Sequence, residues 1–394
     1  MKGRAQTKGT EVSGVSDYGK RRLLTYADSF RELAKSMDWE EREEVKEDNR
    51  AQVLEAMRLR ENQQVLCDNL REMARIMDSV ASEVFRMRPL EEKKMRMIVH
   101  AMKAEGIAVT DIYYIDRPGE RTSIGCTMYS RKEGGYSGEL AADQLSVLLN
   151  RRLELSVVSP YMIDEHIRNF VFVEEPSFVV LSGTARAVKE GETKSGDNYA
   201  VIESEKGKLT VLLSDGMGSG EKASADSELI LDLMEKMLEA GYPLVGALNL
   251  VNNALVARAE KQNMSTMDIC DLELYEGTAS FYKMGGAATF IKREHVVELI
   301  ESHSLPLGIF QSVEPAVSSR KLMDGDYIIM MTDGVLDALE NNRYEETMRQ
   351  IIGSVKEQNP KEIARCILQF VLHCCGGHIQ DDMTVLVLGI WENT

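Results

Sequence analysis

Three acidic sites stand where an apolar run meets a turn. Val211-Leu212-Leu213-Ser214 leads into Asp215-Gly216, and Ile328-Ile329-Met330-Met331-Thr332 leads into Asp333-Gly334. Asp381-Asp382 stands directly before the apolar run that starts at Met383, and a fourth carboxylate, Asp197 in Ser195-Gly196-Asp197-Asn198, precedes another apolar segment. A single Asp-Gly says little, because most are turns. In combination they say more. The glycine after Asp215 and after Asp333 lets the chain turn tightly as a strand runs out. Carboxylates brought together from separate strand ends repel one another unless cations lie between them. Hard divalent ions with oxygen ligands, Mg²⁺ or Mn²⁺, are the expected occupants. Two such ions sharing a water would lower its pKa and aim it at phosphorus, so a phosphomonoester could be hydrolysed without a protein nucleophile.

The elements that would carry these residues follow from periodicity. Residues 1–20 read as a mobile, mildly basic tail. Residues 21–89 read as helical, with almost no glycine and no proline before Pro89, which is expected to end the helix. Tyr26, Phe30, Leu33 and Met37, and then Leu66, Leu70, Met73, Met77, Val80 and Val84, recur with heptad spacing. That seam could pack within the chain or against a second copy. The charged run Glu40–Arg50 between them reads as a solvated face. Residues 90–168 read as a small α/β subdomain: helices over Met95–Lys103 and Leu140–Leu149, strands over Ile107–Ile115, Ser123–Tyr129 and Leu153–Val158, and a turn at Pro118-Gly119. Residues 169–394 alternate strands with pairs of helices, the pattern of a layered α+β fold. Its strands are expected to begin at Phe170–Val173, and its two main helices to cover Ser224–Ala240 and Leu244–Lys261.

Composition bounds the function. The 394 residues carry a formal charge of −17, which disfavours general nucleic-acid binding. No run approaches the length of a membrane span, and Met1-Lys2-Gly3-Arg4 leads into no apolar signal region. The six cysteines show no CxxC and read as reduced thiols of a cytoplasmic protein. Gly216-Met217-Gly218-Ser219-Gly220 lacks the ending of a phosphate-binding P-loop. His373-Cys374-Cys375-Gly376-Gly377-His378 fits no standard zinc spacing, so its cysteines read as helix-end residues. His100, His166, His295 and His303 have no partners at catalytic spacing. Most of the 22 methionines read as core.

The order Ser-Gly-Asp (195–197), Ser-Asp-Gly-Met-Gly (214–218), Met-Thr-Asp-Gly (331–334) and Asp-Asp-Met-Thr-Val (381–385) resembles the bacterial branch of the metal-dependent PPM (type 2C) protein phosphatases. Within that branch it resembles the serine phosphatases of endospore formation. Ser265-Thr266-Met267-Asp268, Phe281-Tyr282-Lys283-Met284-Gly285 and Leu305-Pro306-Leu307-Gly308-Ile309 support the resemblance, which covers about residues 170–394. It implies a β-sandwich flanked by helices, preceded by the helical segment and the α/β subdomain as regulatory parts. It implies two divalent cations, with Asp215 bridging both and the Gly216 carbonyl completing one coordination sphere. Asp333 and Asp381 would hold one cation, and Asp197 would reach the other. Asp382 stays open as the alternative to Asp381. The helices after Asp215 would act as a switch. The implied substrate is a phosphoserine anti-anti-sigma factor, with a homodimer through the N-terminal helices as a further expectation. Relatives are commonly membrane-anchored, so this chain is expected to be a soluble form or a cytosolic piece of a longer protein. A scaffold that uses the phosphatase fold only to bind a partner is the competing reading, and the intact carboxylate set favours the enzyme. Ala287 and Ala288 stand in a segment where relatives often have proline, which should alter a turn more than the metals.

Overall fold

The computed structural model describes residues 10–13, 17–37, 50–81, 84–116, 121–132, 134–204, 207–216, 218, 220–257, 264–294, 296–301, 304–309, 315–339 and 344–393. The Glu40–Arg50 run (but for Arg50), the Pro118-Gly119 turn, Met217, Ser219, His295 and His303 lie outside the described residues. The chain divides into two compact units, Met1–Glu32 with Met73–Glu175, and Leu33–Glu72 with Pro176–Thr394.

The elements up to Glu175 are β1 (Thr10–Ser13), α1 (Asp17–Met37), α2 (Arg50–Ala81), β2 (Val84–Pro89), α3 (Glu92–Ala104), β3 (Ile107–Asp116), β4 (Ser123–Ser130), β5 (Tyr136–Ser137), α4 (Gly138–Leu149), β6 (Leu153–Leu155), β7 (Met162–Ile163) and β8 (Arg168–Glu174). The first unit is built on a six-stranded sheet in the order β1-β2-β3-β4-β8-β6. Ile98 and Met102 of α3 and Leu145 of α4 are buried in one core with Ile112, Ile124, Phe170 and Phe172 of the sheet. Ser137 caps α4 by accepting from the Glu139 N–H at 3.2 Å.

Four sequence expectations are corrected here. Thr10–Ser13 is a strand paired with Val84–Met87, and α1 starts at Asp17, so residues 1–20 are not wholly a tail. The helix ends at Ala81, eight residues before Pro89, because Val84–Pro89 joins the sheet between β1 and β3. Phe170–Val173 belongs to β8, paired with β4 and β6, so the first unit runs to Glu175 and not to residue 168. The heptad period is present but its phase is shifted by one residue. Ala27, Ala34, Cys67, Ala74 and Ala81 are buried, while Tyr26, Leu33, Leu66 and Val80 are exposed. Small side chains let the two helices approach closely: the Cys67 thiol donates to the Ala34 carbonyl at 3.3 Å.

The second unit continues with β9 (Phe178–Ala187), β10 (Asp197–Ser204), β11 (Lys208–Gly216), α5 (Gly220–Glu239), α6 (Leu244–Ala257), β12 (Ser265–Glu273), β13 (Thr278–Met284), β14 (Thr289–Arg293), β15 (Val296–Ile300), β16 (Ala316–Lys321), β17 (Asp326–Met331), α7 (Asp333–Asp337), α8 (Tyr344–Ser354), α9 (Pro360–Cys374) and β18 (Met383–Glu392). Two five-stranded antiparallel sheets, β10-β11-β12-β13-β16 and β15-β14-β17-β18-β9, form a sandwich. Between them lie Leu209, Val211 and Leu213 of β11, Ile328 and Met330 of β17, and Leu386, Leu388 and Ile390 of β18. The alternate residues of the second sheet, Ile329, Met331, Val385 and Val387, face α7, α8 and α9. This two-sided burial explains why β17 reads as a continuous apolar run without alternation. Helices α5 and α6 cover the other face of the first sheet through Ile230, Met234, Leu248 and Val251. Burying each such side chain stabilises by about 1.5–3 kcal/mol, so the strand ends that carry the aspartates are firmly held.

Candidate metal centre

The sandwich brings three of the four aspartates together. The β10–β11 register sets Asp197 directly opposite Asp215, and Thr266 of β12 lies on the other side of Asp215. Like charges directly opposite on neighbouring strands destabilise a sheet, so this pairing needs an explanation beyond folding. The third carboxylate comes from the other sheet, where β17 ends at Thr332 and Asp333 opens α7. Asp215 lies within the field and hydrogen-bonding reach of both Asp197 and Asp333.

Asp197 is fully buried and tied across the sandwich. The hydroxyls of Thr332 and Thr384 donate to its Oδ2 at 2.9 and 2.7 Å. Thr332 also accepts from the Thr384 N–H at 2.9 Å, which locks the ends of β17 and β18 together. The Arg186 guanidinium donates to the Asp197 carbonyl. Ser265 donates to the Asp215 carbonyl at 2.7 Å. Gly216 is required by close approach: a Cβ there would lie 2.4 Å from the Ala223 carbonyl oxygen of α5.

The electrostatics record the crowding. Burial, and then the charges of Asp197 and Asp333, push the Asp215 carboxyl up to about 9. Burial pushes Asp197 up to about 6, against the lowering effect of its two threonine hydroxyls. Asp197 Oδ1 is buried and accepts no hydrogen bond. Among the described residues, no three Asp, Glu, His or Cys side chains are closed up as a formed ligand shell. The contacts run instead in sequence, Asp197 to Asp215 to Asp333. A buried Asp197 with one orphaned oxygen, beside an Asp215 crowded by the charges of Asp197 and Asp333, fits hard divalent cations.

Asp381 and Asp382 part company. Asp382 is buried, and its two oxygens accept from the backbone N–H groups of Lys189 and Gly196 at 2.9 and 2.7 Å. It braces the segment leading to Asp197. Asp381 is half-exposed and lies 3.8 Å from the Lys189 ammonium. It lies toward Asp333, because the charges of Asp333 and Asp381 both add to the burial that raises the Asp337 pKa. Asp337, Lys189, Arg186, Thr332 and Thr384 are site residues that the sequence reading did not single out. Asp337 was findable, as it follows Asp333 at helical i, i+4 spacing.

The other candidates lie elsewhere. His166 is beside Asp164 and His378 is beside Glu190. The Cys375 thiol donates to the Leu372 carbonyl at 3.4 Å, and among the described residues no zinc-like group forms around Cys374.

The chain resembles known proteins over most of its length. Residues 205–391 match the family model of stage II sporulation protein E (SpoIIE). The chain is 29% identical over 338 residues to stage II sporulation protein E of Priestia megaterium, covering 85% of this chain and 58% of that protein. It is 28% identical over 341 residues to the Bacillus subtilis (strain 168) protein, covering 86% and 41%. The chain therefore spans about half the length of the curated relatives it matches. Among solved structures, the PP2C phosphatase domain and regulatory-domain fragment of SpoIIE from Bacillus subtilis superposes with a TM-score of 0.62 at 28% identity, covering 87% of this chain and 97% of that one.

Proposed function

This chain belongs to the stage II sporulation protein E-like branch of the PPM (type 2C) phosphatases, and from that premise we propose that it hydrolyses phosphoserine on a protein substrate, an anti-anti-sigma factor in sporulation sigma-factor control. The observation that carries the proposal is the run of contacts from Asp197 through Asp215 to Asp333, built from strand ends of two sheets. Asp197, Asp215, Asp333, Asp381 and the Gly216 carbonyl would hold two divalent cations, Mn²⁺ or Mg²⁺. When bound, these supply Lewis-acid polarisation of water and of a phosphoryl oxygen.

The chain's own residues do the positioning. Asp215 sits between Asp197 and Asp333, where its carboxylate would be a ligand for the cations. Thr332 and Thr384 orient Asp197 and leave its second oxygen for a ligand. Asp382 braces the segment that delivers Asp197, which supports Asp381 as the ligand of the pair. The Lys189 ammonium at the half-exposed edge offers a counter-charge to an incoming phosphate. Among the described residues no helix is long and apolar enough to cross a membrane. The reading places the domain in the cytoplasm, or on the cytosolic side of a membrane if a longer protein is anchored. The exposed Tyr26, Leu33 and Leu66 support a homodimer through α1 and α2.

The test is release of phosphate from a phosphoserine anti-anti-sigma protein, with Mn²⁺ or Mg²⁺ and with chelator. Turnover only with metal, abolished by Asp215→Asn, is expected. Stable binding of the phosphoprotein without phosphate release would instead establish a scaffold.

A further inference from the structure

One buried charge pair takes no part in the site described so far. Asp268 of β12 and Lys283 of β13 are cross-strand partners. Both are almost wholly buried, at 3% and 2% exposure. The Lys283 ammonium donates to Asp268 Oδ2 at 2.9 Å and to the Ala287 carbonyl. The Lys283 carbonyl in turn accepts from the Ser304 hydroxyl, which accepts from the Gly285 N–H at 3.3 Å. The pair thus pins the 285–287 turn. Removing two charges from water is costly, and apolar residues of the same size would often serve stability equally well.

The second oxygen of Asp268 is packed under the 285–287 turn. Asp268 Oδ1 is buried and makes no hydrogen bond. The backbone of Gly286 lies over the carboxylate so closely that a Cβ there would come within 1.9 Å of Oδ1. Thr266, Asp268, Gly286, Ala287, Thr332 and Asp333 are among the residues that line a cavity of about 10 Å³. That is room for about one water, in a setting polar enough to hold it. Thr332 is the residue whose hydroxyl holds Asp197, and Asp333 is the carboxylate from the second sheet.

We propose that Asp268 and Lys283 form a positioning pair for Asp333, acting through the cavity lining that Asp268 shares with Thr332 and Asp333. The proposal rests on the reading of Asp333 as a cation ligand. Lys283 fixes the rotamer of Asp268 and the overlying turn. Asp268 then stands as a fixed polar group in the lining of the cavity that Asp333 also lines. Outer groups of this kind fix the orientation of a ligating carboxylate, and their loss commonly weakens metal binding.

The experiment titrates the protein with MnCl₂ by calorimetry and follows thermal unfolding of the same samples. Two double variants remove both charges. Asp268→Asn with Lys283→Met keeps a hydrogen-bonding oxygen, whereas Asp268→Leu with Lys283→Met removes it. Both are expected to unfold near the wild-type temperature. The leucine double is expected to bind Mn²⁺ roughly 10–100-fold more weakly than wild type, and the asparagine double to recover most of that loss. If the leucine double does not fold, Asp268→Ala with Lys283→Met takes its place, with the same loss required. Equal Mn²⁺ affinity in the two doubles would overturn the positioning role while leaving the metal centre intact. A wild-type protein that takes up no Mn²⁺ would instead refute the metal reading itself, and this inference with it.

Discussion

Replacing Asp215 by asparagine should stabilise the metal-free protein while it destroys metal binding. Asp215 is largely buried between Asp197 and Asp333, which raises its carboxyl from the ordinary 3.8 to about 9. A carboxyl raised in the folded state contributes most below its unfolded pKa, and the contribution is lost as pH climbs from 3.8 toward 9. At pH 8 the cost is roughly 1.4 kcal/mol for each pH unit above the ordinary value, a ceiling of about 6 kcal/mol. Proton sharing with Asp197 and water entry reduce this, and an asparagine gain of about 1–3 kcal/mol is expected. In a domain of this size that is roughly 3–10 °C in Tm. The assay is thermal unfolding in chelator from pH 4 to pH 9, repeated with Mn²⁺. The asparagine variant should melt higher than wild type at pH 8, with the advantage fading toward pH 4. Added Mn²⁺ should raise wild-type Tm and leave the variant unchanged. A variant that melts lower at pH 8 without metal, or whose advantage does not depend on pH, would refute the crowding argument.

Three further outcomes follow from the same geometry. Asp382→Asn should lower stability by about 1–3 kcal/mol, because the Lys189 and Gly196 N–H groups lose a charged acceptor; Asp381→Asn should leave Tm nearly unchanged and weaken Mn²⁺ uptake, both read by unfolding and calorimetry. Gly216→Ala should cost roughly 1–3 kcal/mol and loosen the start of α5, since the added methyl meets the Ala223 carbonyl at 2.4 Å, a change that hydrogen exchange in α5 would report. Leu33→Glu with Leu66→Glu should abolish any dimer in light scattering at little cost to Tm, both positions being exposed.

Part of the candidate site is legible in the residues themselves. Apolar runs such as Ile328–Met331 ending in Asp-Gly mark buried strands with a carboxylate at the end, and Asp215 lies within hydrogen-bonding reach of Asp197 and Asp333, which leaves their role as metal ligands a proposal. The division of labour between Asp381 and Asp382 was not legible, because adjacent aspartates differ only in what the fold puts beside them. The heptad period of α1 and α2 was visible, but bulky Leu66 and Val80 drew attention from Cys67, Ala74 and Ala81, whose small size is what permits close packing. The heptad period runs on to Val84, so Val84–Pro89 looks helical in sequence, and no local feature marks the pairing with β1 and β3 that makes it a strand. β16 (Ala316–Lys321) is polar and at a sheet edge, so its sequence carries little strand signal. The Asp268–Lys283 pair joins residues 15 positions apart through strand register, a relation no local spacing shows.

Anomalous diffraction from crystals grown with Mn²⁺ would probe the central arrangement most directly. The account predicts two manganese peaks, both touching the Asp215 carboxylate, with Asp333 and Asp381 around one and Asp197 on the side of the other. Peaks that avoid Asp215, or a fully ordered centre with no metal at Asp215 in millimolar Mn²⁺, would contradict it.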